Sequence, residues 1–110
     1  MYTITYMTIS QAKRVFILGI KGVAMAQIAT ILKKMGKEVV GYDTDEEFIT
    51  DQELHNQQIR IHTSAEEVLR ETGFDLAIFS AAHGGDTNTI IKKLREANVA
   101  VISQAQFLSE

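Results

Sequence analysis

The sequence of 110 residues contains no cysteine and no proline. Without cysteine, neither a disulfide framework nor a thiolate metal site can form, and the chain is compatible with a reducing cytosol. The three histidines, His55, His62 and His83, lie too far apart along the chain to indicate a zinc cluster. The lack of proline excludes no fold class and no function.

The sequence also lacks a long hydrophobic run and an excess of positive charge. No stretch approaches the roughly 20 apolar residues of a membrane-spanning helix. Residues 1–12 have neither the basic start nor the apolar run of a secretory signal. The formal net charge of -3 provides no basic field that would attract nucleic acid or an anionic membrane. We therefore expect a cytoplasmic protein that binds neither nucleic acid nor membrane.

The length and the apolar content of 45% suit one domain with a single core. No internal repeat, low-complexity tract or linker interrupts the chain between Ala12 and Leu108. We expect an N-terminal extension over residues 1–12 and one domain over residues 13–110.

Apolar periodicity predicts alternating strands and helices. The predicted strands are residues 14–18, 38–43, 59–62, 75–80 and 99–102. The predicted helices are residues 23–35, about 49–55, 64–70, from 86 or 87 to 97, and 104–108. A stripe of apolar residues on the first helix is expected to pack in the core: Met25, Ile28, Leu32 and Met35.

Right-handed crossovers between these strands give a Rossmann-like α/β fold with a five-stranded parallel sheet in the order 3-2-1-4-5. In such sheets, ligands bind beyond the carboxyl ends of the strands, where the strand order reverses. The expected ligand site therefore lies between the first and fourth strands.

The turn after the first strand, Gly19-Ile20-Lys21-Gly22, leads directly into the first helix. A glycine-rich turn at a helix N-terminus brings backbone N–H groups and the positive end of the helix dipole to a phosphate. The dinucleotide pattern G-x-G-x-x-G would need glycine at positions 19, 21 and 24, whereas this chain has Lys21 and Ala24. Two readings of Lys21 stay open: its ammonium contacts a phosphate, or it is solvated. The glycines themselves could instead serve only a tight connection.

Three further segments contain candidate ligand contacts, each with a structural alternative. Asp43 ends the second strand and suits the hydroxyls of a ribose, unless it is a solvated loop residue. Ser80, Ala81 and Ala82 follow the fourth strand, where small residues let a ligand approach the backbone. The next residue, His83, either contacts phosphate or is exposed, and we favour exposure.

Other polar residues have weaker signals. His62 ends the third strand, near the expected base site, or is a half-buried edge residue. The acidic residues Glu46, Glu47, Asp51 and Glu53 are read as a solvated surface rather than a metal site. No nucleophile with a neighbouring base and no reactive carboxylate pair is apparent, so no catalytic residue is predicted.

Four segments, in this order, resemble the N-terminal domain of Mur ligases, especially the UDP-N-acetylmuramate:L-alanine ligase branch and its murein-tripeptide-recycling relatives. Residues 16–26 resemble the family turn G-I-G-G-x-G-M-S, and residues 36–43 resemble G-x-x-V-x-G-S-D. Residues 79–82 resemble V-S-S-A, and residues 99–108 resemble I-P-V-V-P-R-A-E-M-L. Lys21 and Ala24 replace family glycines, and Tyr42 replaces a small residue.

The resemblance implies that this domain binds the UDP part of a UDP-N-acetylmuramate-type substrate within an ATP-dependent ligase that makes peptidoglycan precursors. It implies no cofactor in this domain. ATP and magnesium are expected in a following domain that opens with a G-T-H-G-K-T-T-type loop, which lies outside this sequence, so the partners are a UDP-sugar and the remaining ligase domains. The expected nucleotide-binding residues are Gly19, Ile20, Lys21, Gly22, Val23, Ala24, Met25, Asp43, His62, Ser80, Ala81, Ala82 and His83.

Two other functions remain open from the sequence alone. The first is the NAD(P)-binding domain of an oxidoreductase, against which Lys21 argues because a side chain stands where the backbone should approach the pyrophosphate. The second is a non-catalytic module that binds CoA or another nucleotide.

Overall fold

Five parallel strands form one sheet in the order β3-β2-β1-β4-β5, which confirms the predicted order. The computed structural model describes residues 9–109. The strands are β1 (Arg14–Leu18), β2 (Glu38–Tyr42), β3 (Arg60–His62), β4 (Leu76–Phe79) and β5 (Ala100–Ser103). The α-helices are α1 (Val23–Lys34), α2 (Asp51–Asn56), α3 (Ala65–Arg70), α4 (Thr89–Glu96) and α5 (Gln104–Leu108), and a 3-10 segment spans Ala82–Thr87.

The central strand β1 is apolar on both faces because helices cover both sides of the sheet. Val15 and Ile17 belong to one core cluster, together with residues of α1 and α2. Phe16 and Leu18 belong to a second cluster, which includes the buried residues of α3 and α4. The continuous apolar run of β1 is therefore explained by its burial on both sides.

The predicted core stripe on α1 is only partly correct. Met25, Ile28 and Leu32 are buried, whereas Met35 is 51% exposed. Met35 stands at the C-cap position, after the last helical residue, so its side chain leaves the helix face that packs on the sheet. Gly36 follows with a φ of 84°, the left-handed conformation expected of a residue that ends a helix.

The start of α4 was predicted wrongly, at residue 86 or 87. The helix begins at Thr89, and its N-cap is Asn88, whose side chain accepts a hydrogen bond from the amide of Ile90. The preceding 3-10 segment contains three consecutive residues with positive φ, beginning at His83, and these cannot continue an α-helix.

Residues near the N-terminus contribute to the core. Ile9 and Ala12 are buried in the cluster that contains α1. The ammonium of Lys37 donates to the carbonyls of Ser10 and Ala12. The extension predicted over residues 1–12 lies mostly outside the described residues, and it stays a prediction there. Within residues 9–109, no helix is long and apolar enough to cross a bilayer.

An ionic cluster around Glu71 joins the start of β1 to the edge strand β3. Glu71 accepts hydrogen bonds from Arg14 and from Arg60, the latter at 2.8 Å, and it also contacts His62. Burial raises the pKa of Glu71, but the hydrogen bonds from Arg60, His62 and Arg14 outweigh that effect and hold the pKa at about 2. The carboxylate thus stabilises the folded chain in its charged form.

Replacing Glu71 by Gln should therefore lower the free energy of unfolding at pH 7 by about 1–2 kcal/mol, since water screens the half-exposed Arg60. The folded-state pKa lies below the unfolded value of 4.5, so this contribution is complete above about pH 5 and disappears as the pH falls toward 2. Urea unfolding of both proteins between pH 7 and pH 3 measures it. A stability difference that does not shrink at low pH would contradict this role.

Candidate functional site

A cavity of about 340 Å³ lies at the carboxyl ends of β1 and β4, where the strand order reverses. This is the location that the fold predicts for a ligand. We call it the switch-point cavity. Its lining residues come from the turn after β1, the start of α1, the end of β2 and the segments that follow β2, β4 and β5: Gly19, Gly22, Val23, Ala24, Met25, Asp43, Phe48, Ser80, Ala82, His83 and Gln104.

The N–H groups of the glycine turn are already used inside the protein. The amides of Gly19 and Ile20 donate to the carbonyl of Tyr42 at 2.8 and 3.3 Å, and the amide of Gly22 donates to Gly19 at 3.1 Å. The amide of Lys21 donates to a side-chain carboxylate at 2.9 Å. The turn is consequently a braced connection, and its own amides are not the ones that remain open for a phosphate.

Two close approaches fix the path of this turn. Gly19 has a φ of 78°, and a side chain there would meet the imidazole of His83 at 3.3 Å. Ile20 is fully buried and packs over Gly41 of β2. A Cβ on Gly41 would come within 2.5 Å of the Ile20 side chain, so β2 needs glycine at that position. Ile20 therefore packs between the turn and β2 and does not line the cavity.

The N-terminus of α1 opens into the cavity without a cap. Its N-cap residue is Gly22, so no side chain accepts a hydrogen bond from the first turn. Within residues 9–109, no acceptor contacts the amides of Val23, Ala24 and Met25. The first turn also contains no acidic residue that would offset the positive end of the helix dipole. These three N–H groups are therefore open donors at the positive end of the helix dipole.

Asp43 is a buried bridge between the two sides of the cavity, which corrects the alternative of a solvated loop residue. It is only 3% exposed. One carboxylate oxygen accepts the amide of Lys21, and the other accepts the amide of Thr44 at 2.8 Å. The second oxygen also lies 3.2 Å from Nε2 of His83. The predicted contact of Asp43 with a ribose stays a prediction.

His83 is a wall of the cavity, and the favoured expectation of exposure was wrong. Its side chain is 24% exposed and contacts Asp43. The ring of Tyr42 packs edge-on against the imidazole, with 5.8 Å between centroids. His83 has a φ of 59°, and this left-handed backbone is what turns the ring back toward Gly19.

Of the two alternatives for Lys21, the solvated one was wrong, and contact with a phosphate stays a prediction. The residue is 8% exposed, so it is not solvated. Its ammonium donates to the carbonyl of Glu46 at 2.7 Å and lies 3.4 Å from Asp51. Lys21 therefore points into the segment after β2, and it lines a separate cavity of about 250 Å³ with Asp51 and His55.

The remaining predicted residues fall into two groups. Ser80 and Ala82 line the switch-point cavity, while Ala81 lines an adjoining groove of about 450 Å³ that also contains Ser80. His62 is not brought to the cavity, because Glu71 holds its imidazole within the ionic cluster. No group of three or more acidic or histidine side chains within the described chain could hold a metal ion.

Two lining residues were not predicted from the sequence. Phe48 belongs to the polar segment after β2, where a single aromatic residue among acidic neighbours was the available signal. Gln104 begins α5, and the neighbouring Ser103 forms a capping box with Gln106. The S-x-x-Q spacing of that box was a usable signal for the end of β5.

The family model described as "Mur ligase family, catalytic domain" matches residues 14–110. The chain belongs to the Mur ligase family. The match includes the turn, the start of α1 and all five strands, and it confirms the resemblance inferred from the sequence.

The curated relatives of this Mur ligase chain are enzymes that are several times longer. The UDP-N-acetylmuramate–L-alanine ligase of Borrelia garinii subsp. bavariensis is 31% identical over 99 residues, which cover 87% of this chain and 21% of that ligase. The same ligase from Ligilactobacillus salivarius is 34% identical over 86 residues, covering 78% of this chain and 19% of the relative. The chain thus spans about a fifth of the length of these relatives.

Solved structures of Mur ligases share the fold. The UDP-N-acetylmuramate–alanine ligase of Thermotoga maritima matches with a TM-score of 0.73 and 25% identity, over 89% of this chain and 22% of that one. The UDP-N-acetylmuramate:L-alanyl-gamma-D-glutamyl-meso-diaminopimelate ligase of Neisseria meningitides also has a TM-score of 0.73, with 26% identity over 88% and 30% of the two chains.

Replacing Asp43 by Asn should destabilise this Mur ligase domain by about 2–3 kcal/mol, because buried donors lose a charged acceptor. Asp45 is exposed two residues away and provides a matched control, whose change to Asn should alter the stability by less than about 0.5 kcal/mol. Urea unfolding measures both values. Equal effects of the two substitutions would show that Asp43 does not bridge the cavity walls.

Proposed function

We propose that this chain binds the diphosphate of a UDP-N-acetylmuramate-type substrate at the N-terminus of α1. The observation that carries the proposal is the set of three open N–H groups at Val23, Ala24 and Met25, directed to a cavity at the switch point of the sheet. Backbone donors at a helix N-terminus suit phosphate oxygens, because the donors and the helix dipole act together.

The relatives support the choice of ligand. The similar enzymes are ligases whose names specify UDP-N-acetylmuramate as one of the two molecules that they join. This compound contains a nucleoside diphosphate joined to a sugar. A three-donor helix terminus and an adjoining groove with Ser80, Ser103 and Gln104 would match the charged and the hydroxyl-rich parts of such a molecule.

In the full ligase, this chain would supply substrate binding as the N-terminal domain of an ATP-dependent enzyme that makes peptidoglycan precursors. ATP and Mg²⁺ would act in other parts of that ligase, since the phosphate loop expected of its ATP-binding domain is not in this sequence. The residues described above would hold and orient the UDP-sugar, and the location would be cytoplasmic.

A dinucleotide fits these residues less well. In an NAD site, the second glycine of the turn lets the backbone approach the pyrophosphate closely. Here that position is Lys21, whose side chain is packed against the segment after β2. NAD and CoA therefore serve as comparison ligands in the test of the proposal.

The test uses the cap position of α1. Gly22 has a φ of -61° and a ψ of 146°, and a Cβ there would meet nothing closer than the Gly19 carbonyl oxygen at 3.5 Å. Asp at position 22 should fold and cap the helix, because its carboxylate can accept the open N–H groups. Those groups would then be unavailable to phosphate, and like charges would repel the ligand. We expect Gly22→Asp to weaken UDP-N-acetylmuramate binding at least 100-fold by calorimetry.

Gly22→Ala is the matched control, since it adds a side chain without an acceptor. It should retain affinity within about threefold, and Gly22→Asp should unfold at the same or a higher temperature than the parent chain. Normal binding by Gly22→Asp, or tight NAD or CoA binding with no response to the UDP-sugar, would refute the proposed function.

A further inference from the structure

Lys21 fixes the segment that follows β2. Besides the ammonium contacts with Glu46 and Asp51, the carbonyl of Lys21 accepts a hydrogen bond from the Thr50 hydroxyl at 2.6 Å. Both the side chain and the backbone carbonyl of Lys21 therefore contact residues 46–51. A glycine at this position would supply only the backbone contact.

Phe48 lies within the segment that Lys21 holds, and its amide donates to Asp51 at 3.2 Å. The ring lines the switch-point cavity and is 41% exposed. The Lys21 ammonium is 5.7 Å from the ring centroid, within the range of a cation–π contact. An aromatic ring on a braced segment thus borders the cavity, and among residues 9–109 it contacts no other ring.

We propose that Phe48 is the platform on which the nucleobase of the ligand stacks, and that Lys21 is the residue that positions this platform. The inference rests on the proposed function, and it adds how one end of the ligand is recognised. In Rossmann-like sheets, the nucleoside extends from the helix N-terminus toward the end of the second strand, which is where residues 43–48 lie.

The chemistry on the two sides of the three open amides also favours this orientation. On the β2 side, the cavity is bordered by the aromatic ring of Phe48, whose chemistry suits a planar base. On the β4 and β5 side, Ser80, Ser103 and Gln104 offer hydroxyl and amide groups, which suit the hydroxyls of a sugar. The base therefore belongs against Phe48 and the sugar in the adjoining groove.

The test compares UDP with inorganic pyrophosphate, because only UDP contains a base. Phe48→Ala should weaken UDP binding by about 5- to 20-fold in calorimetric titrations, since one stacking contact is lost. Its affinity for pyrophosphate should stay within twofold of the parent chain. Ile49→Ala is the matched control: Ile49 is 91% exposed beside Phe48 and does not line the cavity, so both affinities should be unchanged.

The outcomes separate the two proposals. If the parent chain binds neither UDP nor pyrophosphate, the proposed function fails, and this inference fails with it. If the parent chain binds both and Phe48→Ala leaves UDP affinity unchanged, or lowers both affinities equally, only the stacking inference is overturned. If Phe48→Ala does not fold, Phe48→Leu takes its place, because leucine keeps the apolar bulk without a π-face. Phe48→Leu should then lower the affinity for UDP by the same factor and leave the affinity for pyrophosphate unchanged.

Lys21→Met tests the positioning role, because methionine keeps an apolar stem and removes the ammonium. We expect a loss of about threefold or more in UDP affinity with unchanged pyrophosphate affinity, and Lys21→Met should cause no further loss when it is added to Phe48→Ala. A Lys21→Met chain that binds UDP normally, or that loses pyrophosphate binding as well, would overturn this part of the inference.

Discussion

The geometry of the candidate site depends on the buried carboxylate of Asp43. It accepts the amide of Lys21 from the turn after β1 and contacts His83 from the segment after β4. These two segments lie on opposite sides of the switch point, and the sheet alone does not fix the distance between them. A buried carboxylate is costly unless donors surround it, and here two amides and an imidazole do so. The cavity therefore exists in its present shape because one charged side chain at the end of β2 ties its walls together.

The strand order could be predicted from the sequence because the signals for strands and helices were local and agreed with one another. Apolar periodicity indicated the alternation of strands and helices, and the apolar stripe of α1 indicated the helix face that packs on the sheet. The start of α4 could not be found in this way. A run of positive φ at His83, Gly84 and Gly85 separates β4 from the helix, and nothing in the local pattern specified that a histidine would adopt such a backbone.

The site itself was predictable in outline and not in its contacts. Gly22, Asp43 and Ser80 follow strands whose carboxyl ends meet in a parallel sheet, so their proximity follows from topology. The burial of Lys21 and the place of Phe48 depend on a segment folding back over the turn, which brings residues about 25 positions apart together. Spacing rules treat Lys21 as a defect in a glycine pattern. The contacts show instead that its side chain leaves the turn and braces the neighbouring segment.

The uncapped start of α1 is the feature that packing does not explain. A cap residue at position 22 would add roughly a few tenths of a kcal/mol of stability relative to glycine, and the backbone there lies in a region that any residue can adopt. Glycine is therefore not required by conformation, in contrast to Gly19. The helix tolerates the missing cap because Met25, Ile28 and Leu32 are buried against the sheet. Three open donors beside a cavity, with no acid in the first turn, therefore support the proposal that a ligand supplies the acceptors at this helix end.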